Sequence, residues 1–350
     1  MILSVQSTSA EDIHIIDVYS DIDSADITLQ TGMHYTDMTL DADLMFNGKV
    51  LASGRFAIKE IFPDNDITKV ISWNLEDPAD GHYITRITLA KGTVLETIYS
   101  NFSYGKGWQS LPRIFINDII SDSSGVSVIL APLIPQSGTE QRPVLADVEY
   151  MLVDGDTVIY RTTDRRVTVI QPTSLSKDWN VFLENNHQYS TRLKIRVSPP
   201  EEAVIAKSIN FTAMDDARIT ELYRDETGAS ATIMGLSQVP FEGSIIFTVS
   251  KNGDVIEEIK EKSPILMSKD DETIEVSWKS RLPPGLFKLS VKAIGNYGDV
   301  IDRWDTVIEA KEKKVLDIEP AATEKAPGFP AFFSIIAVIL IFIWTDHRKG

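Results

Sequence analysis

The sequence predicts an all-β chain of three tandem antiparallel β-sandwiches followed by one C-terminal transmembrane helix. Three observations carry this reading. Segments near residues 15, 116 and 219 align with one another without gaps. Hairpin dipeptides, tryptophans and alternating strands then recur in the same order after each segment. The last two dozen residues hold an apolar run long enough to cross a bilayer.

The repeat comes first in the argument. "IIDVYSDIDSADITL" (Ile15 to Leu29), "INDIISDSSGVSVIL" (Ile116 to Leu130) and "ITELYRDETGASATI" (Ile219 to Ile233) place Asp21, Asp122 and Asp225 in register, 101 and 103 residues apart. A period near one hundred is too long for a solenoid unit and suits a complete small β domain. Asn47-Gly48, Asp154-Gly155 and Asn252-Gly253 follow between apolar stretches. Such pairs supply the positive φ angles of a two-residue hairpin turn. Trp73, Trp179 and Trp278 come next, and then Tyr83, Tyr189 and Phe287 open a strand of two-residue alternation. Each copy therefore has about seven short strands, the count of an antiparallel sandwich.

The aromatic positions are read as structural. The tryptophans are expected between the two sheets of each copy. The tyrosines resemble the tyrosine corner of immunoglobulin-like domains, a position where Phe287 offers packing only. The fold class is thus three immunoglobulin-like sandwiches, at residues 13–108, 113–215 and 217–310. Residues 1–12 read as a leader or signal-peptide remnant, residues 311–326 as a polar stalk, and residues 327–350 as the membrane segment. The junctions Ser103 to Arg113 and Ala213 to Arg218 are short, which predicts a stiff stack of domains.

From Phe329 to Trp344 no side chain is charged, and the run is apolar all round rather than on one face. At about 1.5 Å per residue, Ala326 to Thr345 would make a helix of roughly 30 Å, the thickness of the hydrocarbon core. Trp344, Arg348 and Lys349 would lie at the headgroups. Arg348 and Lys349 follow the span while Lys311, Lys313, Lys314 and Lys325 precede it, so charge alone does not orient it.

Composition excludes several functions. A net charge of -17 disfavours nucleic acid and anionic lipid surfaces as partners. The absence of cysteine removes disulfides, thiolate metal sites and cysteine nucleophiles. The five histidines, His14, His34, His82, His187 and His347, have no metal-ligand spacing, and no nucleophile elbow or phosphate loop occurs. No enzyme is expected. For metals the expectation is none, with Asp21, Asp23 and Asp26 of "DIDSAD" as the calcium candidates. Only the Asp21 position recurs in all copies, and an aspartate after a strand commonly caps a turn. Asn101-Phe-Ser103 and Asn210-Phe-Thr212 are candidate N-glycosylation sites at corresponding points of two copies.

The tail "PGFPAFFSIIAVILIFIWTDHRK" resembles the PGF-CTERM sorting signal of archaeal surface proteins: Pro327, Gly328 and Phe329, an apolar span, then a basic end. It departs from that pattern in its short, charged stalk and in Asp346. The resemblance implies export, recognition by an archaeosortase near the tripeptide, exchange of the span for a lipid anchor, and residence on the extracellular face of the cell membrane. It implies membrane lipid, the archaeosortase and S-layer or other envelope proteins as partners. The sandwiches also loosely resemble the uncharacterised immunoglobulin-like domains of methanogen envelope proteins. The functional expectation is a non-catalytic structural or S-layer-associated envelope protein; the alternative is an adhesin or receptor that binds through loops at a domain tip.

Overall fold

A computed structural model describes residues 13–106, 113–133, 143–199 and 202–312. They form only strands and turns, with no helix among them, and pairing between neighbouring strands is antiparallel throughout. The expected transmembrane helix lies outside the described residues, as do the leader and all of the stalk after Glu312.

Among the described residues twenty-one strands fall into three sets of seven. The first set is β1 (Ile13–Ser20), β2 (Ser24–Thr31), β3 (Tyr35–Phe46), β4 (Lys49–Ile61), β5 (Asp66–Ser72), β6 (Gly81–Lys91) and β7 (Thr93–Tyr104). The second is β8 (Ile114–Ser121), β9 (Gly125–Pro132), β10 (Val144–Asp154), β11 (Thr157–Val169), β12 (Thr173–Asp178), β13 (Gln188–Val197) and β14 (Ala203–Thr212). The third is β15 (Ala217–Arg224), β16 (Gly228–Gly235), β17 (Ser244–Lys251), β18 (Asp254–Lys262), β19 (Asp271–Ser277), β20 (Gly285–Ile294) and β21 (Val300–Ala310).

Within each set the first, second and fifth strands make one sheet, and the fourth, third, sixth and seventh make the other. Alternation dictates what lies between them. In β6 the side chains of Tyr83, Thr85, Ile87 and Leu89 are buried while their neighbours are exposed or half-buried. Each set closes its own apolar core: one around Leu40 and Tyr83, one around Tyr150 and Leu193, one around Phe247 and Leu289. These are three sandwiches.

The first strand of each copy carries a β-bulge at one place, between Ile15 and Asp17, Ile116 and Asp118, and Ile219 and Glu221. In the outer copies a carboxylate of the last strand takes up an amide beside the bulge. Ile15 N donates to Glu96 Oε2 at 2.9 Å, and Ile219 N to Asp302 Oδ2 at 2.7 Å. The bond ties the first strand to the opposite sheet.

Two expectations are corrected. Asn47-Gly48 and Asn252-Gly253 are the turn pairs, all four at positive φ. In the second copy, however, Asp154 pairs with Thr157, so the turn is Gly155-Asp156, and of the two only Gly155 is at positive φ. The turn has moved by one residue because a glycine in the first central position permits the alternative primed turn. The short junctions also do not produce a simple end-to-end stack. β5 bridges β11 at Lys69 and Thr157, which joins the β1-β2-β5 sheet of sandwich 1 to the β11-β10-β13-β14 sheet of sandwich 2 in one seven-stranded order. The outer faces of these sheets then pack on each other.

Candidate functional site

The recurrent aspartate and tryptophan form one unit in every copy. Asp21 Oδ1 accepts the amides of Asp23 and Ser24, Asp122 Oδ1 those of Ser124 and Gly125, and Asp225 Oδ1 those of Thr227 and Gly228. The indole Nε1 of Trp73, Trp179 and Trp278 donates to the main-chain carbonyl of that aspartate at 3.1, 3.0 and 3.2 Å. All three tryptophans are buried in their cores. The turn between the first two strands is thereby fastened to the strand-end of the same sheet, and the aromatic ring fills the space between sheets. Tyr83 completes the corner by donating to the Ala79 carbonyl at 2.6 Å, and Tyr189 by accepting the Glu184 amide at 3.1 Å. Phe287 is buried at the same place without such a bond.

The three calcium candidates do not converge. Asp21 is occupied by its turn, and its Oδ2 accepts the Tyr19 hydroxyl at 2.9 Å. Asp23 is exposed as a residue, but desolvation at its carboxyl, and then the Asp21 charge, raise its pKa above the ordinary aspartate value. Asp26 points away from the turn, into the face between sandwiches 1 and 2, where arginine and lysine neutralise it. Among the described residues no group of three or more His, Asp or Glu side chains is placed to hold a metal ion. Asn101 and Asn210 are exposed on β7 and β14. Asn101 borders a cleft of about 640 Å³ between the two sandwiches, lined also by Tyr19, Asp21 and Glu202. Pro327, Gly328 and Phe329 lie outside the described residues.

The junctions are where the copies differ. Between sandwiches 2 and 3, the β16–β17 loop enters the end of sandwich 2. Val239 is 1% exposed and belongs to the apolar core of sandwich 2. At the residue before it, the Leu183 amide donates to the Gln238 carbonyl at 3.0 Å and the Gln238 amide to the Ser123 carbonyl at 2.9 Å. Asp215 of the linker accepts Asn185 Nδ2 from one sandwich and the Asn296 amide from the other, each at 2.9 Å.

Between sandwiches 1 and 2 the contact is ionic. Arg192 of β13, 0% exposed, donates from Nε to Asp26 Oδ2 at 2.8 Å and from Nη1 to Ser24 Oγ at 2.8 Å. Its Nη2 lies 2.8 Å from the same carboxylate oxygen, in charge contact without a directed hydrogen bond. Lys194 bridges Asp26 and Asp17, Arg196 also meets Asp17, and the Tyr19 ring lies 5.8 Å from the Arg192 guanidinium and 5.5 Å from the Lys194 ammonium. Burial works against the charged form of Asp17, but Lys194 and then Arg196 outweigh it and hold the carboxyl below its ordinary value. At the far side Lys69 Nζ reaches Asp156 Oδ1 at 2.7 Å and Thr157 Oγ1 at 2.6 Å, and the Val70 amide donates to the Asp156 carbonyl at 2.9 Å. The shifted turn puts Asp156 at the hairpin tip for this role. Sequence reasoning missed these residues; the available signal was charge at Asp26 and Lys69, strand positions that are Ser127 and Ser230 or Leu175 and Ile274 in the other copies.

His187 stands beside the same hairpin. Its Nε2 is 2.8 Å from Asp154 Oδ1, and the hydrogen bond that Asp154 accepts, assisted by the carboxylate charge, raises the histidine's pKa above its ordinary value. A raised folded value means that the stabilisation is fully present below the unfolded pKa of about 6.5 and is lost as pH rises through the folded one. The thermal midpoint of sandwich 2 is therefore expected to fall as pH rises from 6 towards 8.5, and His187→Gln to flatten that slope; equal slopes in both proteins, measured at fixed salt, would refute the assignment.

No family model matches the chain, and no curated protein matches it. Solved structures do align along most of its length. A tetra-tandem repeat from the extending region of a large adhesion protein is 9% identical over 86% of this chain and 75% of that one, with a TM-score of 0.25. Trypsin-activated alpha-2-macroglobulin from Escherichia coli is 10% identical over 84% of this chain, with a TM-score of 0.26, and the native form is 10% identical over 86%, with a TM-score of 0.23. The chain spans only 23% and 22% of those two macroglobulin chains. At such TM-scores these likenesses carry no functional argument, and what stands is an all-β chain of tandem sandwiches with an ionic contact at one junction and an apolar one at the other.

Proposed function

We propose that the chain is a non-catalytic, membrane-anchored envelope protein whose immunoglobulin-like sandwiches act as a structural spacer, carried on the extracellular face and sorted through its Pro327-Gly328-Phe329 tail. The observation that supports this most is how the recurrent residues are used. In all three copies the aspartate and the tryptophan are consumed in fastening the copy itself, and the tyrosines do the same in two, which leaves these positions to internal support rather than to a ligand. The apolar tail supplies the anchor, and the acidic surface keeps neighbouring molecules apart by charge.

Protease shaving of intact cells, with mass spectrometry of the C-terminus of the anchored protein, tests the proposal. Peptides from all three sandwiches should be released without lysis, and the C-terminus should end near Pro327 with added lipid mass. Full protection of the sandwiches in sealed cells would overturn the extracellular reading. An intact Gly350 terminus on the mature protein would overturn sorting while leaving anchoring in place.

A further inference from the structure

We propose that the face between sandwiches 1 and 2 is a reversible ionic clasp, from which sandwich 1 departs as a folded unit and to which it returns. The proposal concerns the fold alone and does not depend on which side of the membrane the chain occupies.

The first support is how the contacts are distributed. The apolar core of sandwich 1 draws only on residues of sandwich 1, and that of sandwich 2 on none of them, so parting the two faces opens no core. Of the apolar side chains, Met151 and Val153 of β10 are buried yet outside every core, which places them under the opposite sheet. The directed contacts across the seam are made by charged and hydroxyl groups, Asp17, Asp26, Lys69, Arg192, Lys194, Ser24 and Thr157 among them. A buried ion pair within one fold is stranded when its partner is lost, but a pair across two separable faces regains its hydration on both sides when they part. The attraction and the desolvation nearly offset each other, which gives a specific but weak seam. The junction between sandwiches 2 and 3, with Val239 in an apolar core, has the opposite character.

The second support comes from comparing copies. In sandwich 1 Arg86 stands directly across from Asp43, and the two form an ion pair within their own sheet. At the corresponding pair in sandwich 2 the arginine is kept as Arg192, but the residue opposite it is Met151. In sandwich 3 the pair is Thr248 and Ser290. Sandwich 2 alone thus carries an arginine whose local acid is gone, and the acid that meets it is Asp26, where the other copies have Ser127 and Ser230. Lys69 follows the same pattern: the matching residues are Leu175 and Ile274. Asp26, Lys69 and the loss of Arg192's local acid are therefore particular to this pair of sandwiches, whereas Asp17 recurs as Asp118 and Glu221 and Lys194 as Lys292.

The chain has no cysteine, so dyes placed at Lys59→Cys and Arg165→Cys in the full-length protein report the separation by energy transfer, with hydrogen exchange at the Leu29 and Leu193 amides as the measure of folding. Arg192→Glu should raise the open-to-closed ratio at least tenfold while both amides keep their protection. Adding Asp26→Lys should recover at least half of the closed population. Met151→Asp, which recreates the Asp43–Arg86 pair within sandwich 2, should also favour the open form, by drawing Arg192 away from Asp26. Energy transfer unchanged by Arg192→Glu and by Met151→Asp would overturn the clasp. So would opening that always coincides with lost protection at Leu29 or Leu193, because separation would then be unfolding.

Discussion

Replacing Trp179 with alanine is expected to remove a large part of the stability of sandwich 2, and more than any exposed substitution in the same sandwich. Trp179 is fully buried, meets the Tyr160 ring edge-on at 5.9 Å between centroids, and donates its indole proton to the Asp122 carbonyl. Truncating a buried tryptophan costs about 3–5 kcal/mol through lost transfer and the cavity left behind, and the lost hydrogen bond adds about 1 kcal/mol. A domain of this size is stable by only about 5–15 kcal/mol. Urea unfolding followed by hydrogen exchange should show the amides of β9 and β13 losing protection at lower denaturant, with those of β16 and β20 little changed. A shift below about 1 kcal/mol would show that the ring is not the wedge described.

The second large effect is expected from Val239→Asp. The side chain belongs to sandwich 3 by sequence and to the core of sandwich 2 by position. A carboxylate placed there would lie among apolar side chains, and its desolvation would cost several kcal/mol if it stayed buried. Withdrawal of the β16–β17 loop relieves that cost, so the loss is limited by the strength of the junction. Two separate unfolding transitions should replace coupled unfolding of sandwiches 2 and 3 in calorimetry, and the Leu183 and Gln238 amides should exchange faster. Coupling equal to that of the parent protein would show that the loop does not hold the two together.

Much of the fold was legible because its signals are local and repeated. Asn47-Gly48 and Asn252-Gly253 announce turns through backbone conformation alone, and the alternation of Tyr83, Thr85, Ile87 and Leu89 announces a strand with one buried face. Asp154-Gly155 misled by one position because a turn's phase also depends on how the flanking strands pair, and sequence does not display that pairing. The DIDSAD carboxylates, close in sequence, part in space: Asp21 lies in the turn after β1 and accepts its amides, whereas Asp26, on β2, faces the opposite sandwich.

By itself the sequence determined three copies of one all-β unit, the core aromatics of each and the apolar tail, since a period near one hundred, two-residue alternation and a long uncharged run are properties of the chain read along its length. Only the tertiary structure decided that Asp26 meets Arg192, that Asp156 meets Lys69 and that Val239 belongs to a neighbour's core. Those partners lie many tens of residues apart, and their meeting depends on which sheet faces remain uncovered once each sandwich has closed its own core.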